Sequence, residues 1–390
     1  MKTKRELELY VHIPFCVRKC AYCDFLSAPA GRQQQKDYVD ALIREIERCG
    51  ENFRQYRVST VFLGGGTPSI LEGDDTVRLL LAVKNCFELS KDAEITMEVN
   101  PGTVTEEKAE AWRKAGINRL SIGLQSVEDR ELEMLGRIHT YAQFLHTWDT
   151  VRSAGFENVN VDLISAIPGQ TAESWEKTLR TVAELSPEHI SAYSLIIEEG
   201  TLFYEKYGEE GDMQAVPLPD EDEERVIYET TESVLEEYGY HRYEISNYAR
   251  EGYECRHNKG YWERKEYLGL GLGSASLIEE CRFSNTGDME EYMEVFREGA
   301  DGFAWGEKEK LSERDRMEEF FFLGLREMRG ISEEDFLARF HVPLRERYGE
   351  KIDSLVEKGL LEERDGRIAL TKRGIDISNY VFVELLEDEL

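Results

Sequence analysis

Apolar and polar positions follow two alternating rhythms over the first 240 residues. Short apolar runs, often β-branched, at 7–13, 61–64, 95–99, 119–122, 159–164 and 190–196 predict strands. Stretches with a helical repeat at 36–49, 75–87, 105–114, 141–153, 174–185 and 221–238 lie between and after them. Six strand–helix units in succession require a parallel sheet with helices packed outside it. The expected fold class is therefore α/β. Six units rather than eight predict a partial (β/α)6 barrel.

The periodicity fades over 241–306, which is rich in Gly and Tyr. A second unit begins at Leu311, with helices at 312–328, 333–340 and 345–358. A hairpin around Asp365-Gly366 and a return strand at 368–371 follow. This order resembles a winged helix and predicts a small α+β domain. The expected division is 1–240, 241–306 and 307–390. The acidic stretch at 200–224, with Glu209, Glu210, Asp212 and Asp220 to Glu224, reads as a solvated loop leading into a helix.

In parallel β/α folds chemistry gathers at the C-terminal ends of the strands. The unusual residues fall there. A cysteine loop follows the first strand and Gly64-Gly65-Gly66-Thr67-Pro68 the second. The third runs into Glu98-Val99-Asn100-Pro101 and the fourth into Gly123-Leu124-Gln125-Ser126. Asp162 lies on the fifth, and Tyr193 and Ser194 on the sixth.

Charge narrows the partners. The 390 residues carry 48 Lys and Arg against 79 Asp and Glu, a formal charge of −31. Such an excess repels phosphate and excludes nucleic acid as an expected partner. The second unit, with 15 basic and 22 acidic residues over 307–390, follows the same rule. Residues 1–15 lack the apolar segment of a signal peptide, and no run approaches 18 apolar residues. The expectation is a cytoplasmic protein without a transmembrane segment. Peripheral membrane contact and a homodimer are both compatible with the sequence.

Three of the seven cysteines sit within eight residues, as Cys16-Val-Arg-Lys-Cys20-Ala-Tyr-Cys23. A tight cluster in a reducing compartment points to metal or catalysis. The other four, Cys49, Cys86, Cys255 and Cys281, are scattered and read as core or surface residues. A zinc site would need a fourth ligand and favours a C-x2-C spacing. Burial of three inert thiols conflicts with Arg18 and Lys19 inside the loop. A four-iron, four-sulfur (4Fe-4S) cluster is commonly held by four thiolates. Three from this loop leave one iron open to chelate S-adenosylmethionine (SAM), whose reductive cleavage to a deoxyadenosyl radical belongs to the cofactor.

Tyr10-Val-His-Ile-Pro-Phe-Cys16, the C-x3-C-x2-C loop and Gly64-Gly-Gly-Thr-Pro68 together resemble one branch of the radical SAM proteins. That branch contains oxygen-independent coproporphyrinogen III oxidases and HemW-type heme chaperones. The likeness continues through Glu98-Val-Asn-Pro-Gly102, Ser121-Ile-Gly-Leu-Gln-Ser126, Asn160-Val-Asp162, Ile167-Pro-Gly-Gln-Thr171, Tyr243-Glu-Ile-Ser-Asn-Tyr248 and His257-Asn-Lys-Gly-Tyr-Trp262. The resemblance implies a cluster on Cys16, Cys20 and Cys23. It implies SAM contacts from Tyr10, Tyr22, Gly65, Gly66, Thr67, Glu98, Gln125, Arg137 and Asp162. Glycines permit close backbone approach, an arginine can pair a carboxylate, and a carboxylate ending an apolar strand is costly to leave idle. No side chain is assigned a catalytic role of its own.

Within that branch the oxidase is expected to carry a further cysteine two places after the third, and a longer N-terminal arm. Here Phe25 holds that place and nine residues precede Tyr10. Both features imply a chaperone that binds heme and delivers it to heme-requiring clients such as respiratory proteins. The alternatives are the oxidase, which decarboxylates a porphyrinogen, and a non-catalytic binder with a relic cluster site. The resemblance further implies a heme-related motif at His257-Asn258…Tyr261-Trp262. Histidine is a natural axial ligand; the competing reading is a segment folded on the barrel with His257 hydrogen-bonded and Trp262 packed. Many members of that branch carry a histidine in the next Gly-rich segment, where this chain reads Gly269-Leu-Gly271-Leu-Gly273-Ser-Ala275-Ser276. Cys255 is a further candidate ligand.

Overall fold

The computed structural model describes residues 4–208, 211–212 and 214–386. Glu209 and Glu210 of the acidic stretch, and the ends of the first and last expected domains, lie outside the described residues.

Twelve strands form one sheet. They are β1 (Arg5–Ile13), β2 (Tyr56–Gly65), β3 (Leu89–Val99), β4 (Arg119–Gln125), β5 (Val159–Ser165), β6 (His189–Ser194), β7 (His241–Arg242), β8 (Asn247–Ala249), β9 (Tyr267–Leu270), β10 (Ala275–Ile278), β11 (Cys281–Ser284) and β12 (Glu309–Lys310). Their spatial order is β12-β11-β10-β9-β1-β2-β3-β4-β5-β6-β8-β7. Strands β1 to β6 are parallel neighbours in sequence order, as six β/α units require.

The helices are α1 (Arg32–Asn52), α2 (Gly73–Cys86), α3 (Glu106–Ala115), α4 (Asp129–Met134), α5 (Tyr141–Ser153), α6 (Ala172–Glu184), α7 (Leu202–Tyr207) and α8 (Glu221–Glu237), then α9 (Arg256–Trp262) and α10 (Met289–Val295). Thr140 with Gln143 and Thr171 with Ser174 form capping boxes that start α5 and α6. Gly116, at φ 99°, closes α3 in the left-handed region. Trp175 on α6 is fully buried, and its Nε1 donates to Thr231 on α8 at 2.9 Å.

Strand alternation explains the shape. Leu7, Leu9, Val11 and Ile13, with Val61, Leu63, Ile95, Met97, Leu120, Ile122, Val161 and Leu163, pack into the main apolar core. The intervening positions are polar and face the barrel interior: Glu8, Tyr10, Thr60, Glu94, Glu98, Arg119, Ser121, Asn160, Asp162 and Ser191 among them. In register, Glu98 stands opposite Ser121, Ser121 opposite Asn160, and Asp162 opposite Ser191. The partial barrel thus has a polar lumen inside an apolar wall.

Residues 241–306 flank both sides of the six-stranded core. Strand β9 pairs parallel with β1, while β8 pairs antiparallel with β6. Buried Glu45 of α1 clamps the β9 side by accepting from Gly271 N at 2.7 Å, Asn285 Nδ2 at 2.6 Å and Tyr292 OH at 2.6 Å. Burial pushes its carboxyl up to about 7 despite these donors.

The C-terminal unit contains α11 (Glu313–Gly324), β13 (Ile331–Ser332), α12 (Glu333–Phe340), α13 (Leu344–Glu357), β14 (Leu361–Arg364), β15 (Arg367–Leu370), α14 (Lys372–Asp376) and α15 (Ser378–Leu385). Its antiparallel sheet, β13-β15-β14, and its own apolar core give the winged-helix-like order. It is joined to the barrel unit by Glu319, which pairs with Arg264 and Arg282, each at 2.7 Å, and by Arg329 to Glu263 at 2.5 Å.

Candidate functional site

Parallel pairing of β1 to β6 brings their C-terminal ends to one rim. The cysteine loop leaves β1 there and is anchored at several points. Cys16 N donates to Ala28 O at 3.1 Å, and Ala21 N to Leu135 O at 3.2 Å. Phe203 N on α7 donates to Ala21 O at 2.9 Å. Cys16, Cys20 and Cys23 are each half-buried, and all three thiols are free. Thr67 Oγ1 lies 3.4 Å from the sulfur of Cys16, and Arg137 Nη1 lies 3.5 Å from that of Cys20. Burial pushes the Cys23 thiol up to about 11, so a metal taking up this sulfur must displace its proton.

The glycine loop is pressed against the entrance of the cysteine loop. Gly66 N donates to Ile13 O at 2.9 Å and Thr67 N to Phe15 O at 2.7 Å. A Cβ on Gly66 would stand 2.6 Å from Phe15 O and 2.8 Å from Ile13 O. Gly65 has φ 106°, and a Cβ there would overlap the His12 ring. Its N–H donates to Glu98 Oε2 at 3.1 Å.

Asn100 joins this loop to Arg137. Its Nδ2 donates to Thr67 Oγ1 at 2.8 Å, and its Oδ1 accepts from Arg137 Nη2 at 2.8 Å. Arg137 also donates to Gly123 O at 2.7 Å. The guanidinium is thus held by neutral acceptors and a sulfur, without a carboxylate partner among the described residues. Gln125 is 8 % exposed and sits at φ 76°, a strained backbone position of the kind that collects at functional sites.

A cavity of about 230 Å³ fills the lumen below the rim. Tyr10, Gly65, Glu98, Asp162 and His257 line it, together with Phe25, Phe62, Arg119 and Tyr193. Asp162 accepts from Ser121 Oγ at 2.9 Å and Asn160 Nδ2 at 2.8 Å. Burial first, then the charge of Asp162, pushes the Glu98 carboxyl up to about 8. Tyr10 OH lies 3.1 Å from His12 Nδ1. Tyr22 packs edge-on against Phe203, outside that cavity.

His257 stands apart from the rim. Helix α9 crosses the N-terminal half of the barrel, and Glu94 accepts from the backbone N–H groups of Arg256 and His257, each at 3.1 Å. The His257 ring is 1 % exposed and stacks on Phe62 at 5.1 Å. Its Nδ1 lies 2.7 Å from Thr60 Oγ1 and its Nε2 3.0 Å from Tyr261 OH. Burial pushes it down to about 3, so the imidazole is neutral. Both ring nitrogens are engaged; axial ligation would require one hydrogen bond to break. Trp262 lies beneath the Arg326 guanidinium at 5.1 Å. Cys255 is buried and donates to Glu94 at 3.7 Å.

Sequence patterns did not single out Asn100, His12, Glu94 or Arg119 as site residues. Asn100 carried a legible signal, a polar residue directly after an apolar strand at the chemical rim. The lumen residues carried one only in the two-residue alternation.

Residues 10–182 match the Radical SAM superfamily and 311–377 the HemN C-terminal domain. The chain is 35 % identical over 381 residues to the "Heme chaperone HemW" of Lactococcus lactis, covering 98 % of this chain and 97 % of that one. It is 35 % identical to the Bacillus subtilis protein of the same name, covering 96 % and 97 %. The chain belongs to the HemW family. In structure it is similar to coproporphyrinogen III oxidase (HemN) from Escherichia coli, with a TM-score of 0.84 and 25 % identity over 98 % of this chain and 90 % of that one. The α/β partial barrel and C-terminal unit agree with that likeness.

Membership of the radical SAM superfamily implies an iron–sulfur cluster and SAM. The residues fit both. Three free thiols share one anchored loop, and a cavity that reaches Phe25 of that loop is lined by Tyr10, Gly65, Glu98 and Asp162. No three His, Cys, Asp or Glu side chains among the described residues converge as a single-ion site would. Thiolates of a cluster bind separate irons and need no such convergence. No helix among the described residues is long and apolar enough to cross a membrane.

Proposed function

We propose that this chain is a cytoplasmic heme chaperone, which binds heme and passes it to heme-requiring client proteins. Phe25 carries the distinction from the oxidase. It occupies the place of the further cysteine expected in that enzyme, is 59 % exposed, and lines the lumen cavity. A flat apolar ring there suits contact with a macrocycle and supplies no redox or metal chemistry. The near full-length likeness to curated heme chaperones supports the same reading.

In this reading Cys16, Cys20 and Cys23 hold the 4Fe-4S cluster. Tyr10, Tyr22, Gly65, Gly66, Thr67, Glu98, Gln125, Arg137 and Asp162 hold SAM. When bound, these groups supply reductive cleavage of a carbon–sulfur bond. The chain's residues do the positioning. Gly65 and Gly66 let backbone approach closely, Arg137 brings a fixed positive charge beside the Cys20 sulfur, and Glu98 and Asp162 offer buried acceptors. Clients are proteins rather than nucleic acid, given the charge of −31.

The test is heme titration of the cluster-loaded protein, followed by mixing with a heme-free client enzyme. Stoichiometric binding in the Soret band and its transfer to the client are expected. Absence of heme binding contradicts the proposal. The structural likeness to coproporphyrinogen III oxidase favours a second reading, decarboxylation of a porphyrinogen, which product analysis separates from the first.

A further inference from the structure

Arg119 opens β4, faces the lumen and is 2 % exposed. Burying a cation costs several kcal/mol unless partners compensate it. Among the described residues no ion pair or side-chain hydrogen bond reaches this guanidinium, and its Nε is buried without a partner. Glu94 and Asp162 offset its charge through space, yet neither bonds to it, because their oxygens are engaged elsewhere. Glu94 accepts from the amides of α9, Asp162 from Ser121 and Asn160, and Glu98 from Gly65. Arg119 instead borders the cavity of about 230 Å³, where Ser121, Asn160, Ser191, Asn258 and Tyr261 add hydroxyl and amide groups.

Of the charged groups on the cavity wall Arg119 is the cation and Asp162 the anion, so a ligand's carboxylate would be placed at Arg119. Burial keeps His257 and His189 neutral and pushes Glu98 up to about 8, where it keeps a proton to donate at neutral pH. The cavity lies below the size range of pockets for whole ligands, so it suits an arm of one. Tyr10, Phe25 and Tyr193 line it as well, and Phe25 and Tyr193 are exposed to solvent. A flat ligand can therefore rest on the aromatics while its arm enters.

We propose that the lumen of the SAM-free protein is a carboxylate receptor, in which Arg119 takes the carboxylate arm of a ligand lying at the barrel mouth; Tyr10, Gly65, Glu98 and Asp162 of the same wall are those given to SAM, so the two ligands compete for it. Under the heme-chaperone reading that arm is a propionate of heme. The identity of the arm rests on that reading; the carboxylate site does not.

Heme and heme dimethyl ester, whose propionates are uncharged, are titrated separately into the full chain. Free propionate labelled with carbon-13 at the carboxylate is titrated in parallel and followed by NMR. Wild type is expected to prefer heme over its diester by about 10- to 100-fold, the worth of a charge-assisted contact. Arg119→Gln should erase the preference and the propionate signal, and Arg119→Lys should keep part of both. Equal binding of heme and diester, with no response from propionate, overturns the site and leaves an ordered water only on the guanidinium. Propionate binding through Arg119 with no binding of either porphyrin keeps the site and refutes the heme reading. If neither porphyrin nor propionate binds, both are refuted. The wild-type preference needs no variant, so misfolding of Arg119→Gln cannot mask the result.

Discussion

Gly66→Ala tests how tightly the glycine loop and cysteine loop are coupled. The added Cβ would meet Phe15 O at 2.6 Å, Ile13 O at 2.8 Å and Phe15 N at 2.8 Å. Ordinary contact begins near 3.4 Å, so the shortfall at Phe15 O is about 0.8 Å. All three atoms are backbone, and no rotamer change relieves the clash. Either the Gly66 N–H to Ile13 O bond lengthens or Pro14-Phe15-Cys16 shifts as a unit. Overpacking of this kind costs about 1–3 kcal/mol. Because the displaced segment carries Cys16, cluster loading should fall together with stability. The control is Gly73→Ala at the start of α2, where the nearest atom to a new Cβ is 3.6 Å away on the Lys108 side chain. Urea unfolding of both apo variants, with iron and sulfide content after anaerobic reconstitution, gives the comparison. Gly66→Ala should lose stability and cluster content while Gly73→Ala keeps both. Full cluster loading and wild-type stability in Gly66→Ala would refute the proposed coupling.

Three further outcomes are expected. Glu8 is 1 % exposed, both its carboxylate oxygens lack hydrogen-bond partners, and burial pushes it up to about 9 from 4.5. The folded state therefore holds this proton more tightly than the unfolded chain, and stability falls as pH rises between those values. Glu8→Gln should flatten that decline in urea midpoints; an unchanged profile would show that Glu8 does not set it. His257→Ala should cost about 2–4 kcal/mol through lost stacking and hydrogen bonds while iron content stays intact, because α9 lies away from the cysteine loop. Wild-type stability in that variant would contradict its role in the lumen wall. Arg137→Lys loses the planar fork shared by Asn100 and Gly123 and should weaken SAM binding about tenfold or more with cluster content unchanged, read by equilibrium dialysis. Equal SAM affinity would exclude Arg137 from that site.

The six β/α units were legible because their outward faces alternate with helices in apolar blocks. Their inward faces were not. Apolar runs predict β2 from residue 61 and β3 from 95, whereas the strands begin at Tyr56 and Leu89. The missed portions include Ser59, Thr60, Asp92 and Glu94; Thr60 and Glu94 belong to a polar barrel interior, which an apolar-run criterion discards. Short α4 and α7 carry too few turns for a periodic signal. The expected helix at 312–328 stops at Gly324, where the chain turns toward β13. The cysteine and glycine positions stood out by spacing and by strand ends; Asp162, a polar residue within an apolar run, lies midway along β5. What sequence could not supply was depth: the same alphabet of polar residues describes the open rim, where Arg137 meets Cys20, and the closed floor, where His257 meets Thr60.

The central claim is a working radical SAM site without porphyrinogen oxidase activity. The direct measurement is anaerobic incubation of the reconstituted protein with SAM, a strong reductant and coproporphyrinogen III, with mass analysis of the porphyrin and of deoxyadenosine in one tube. Deoxyadenosine without decarboxylated porphyrin is the predicted result. Loss of two carboxyl groups from the porphyrin alongside deoxyadenosine would make the chain an oxidase and contradict the account.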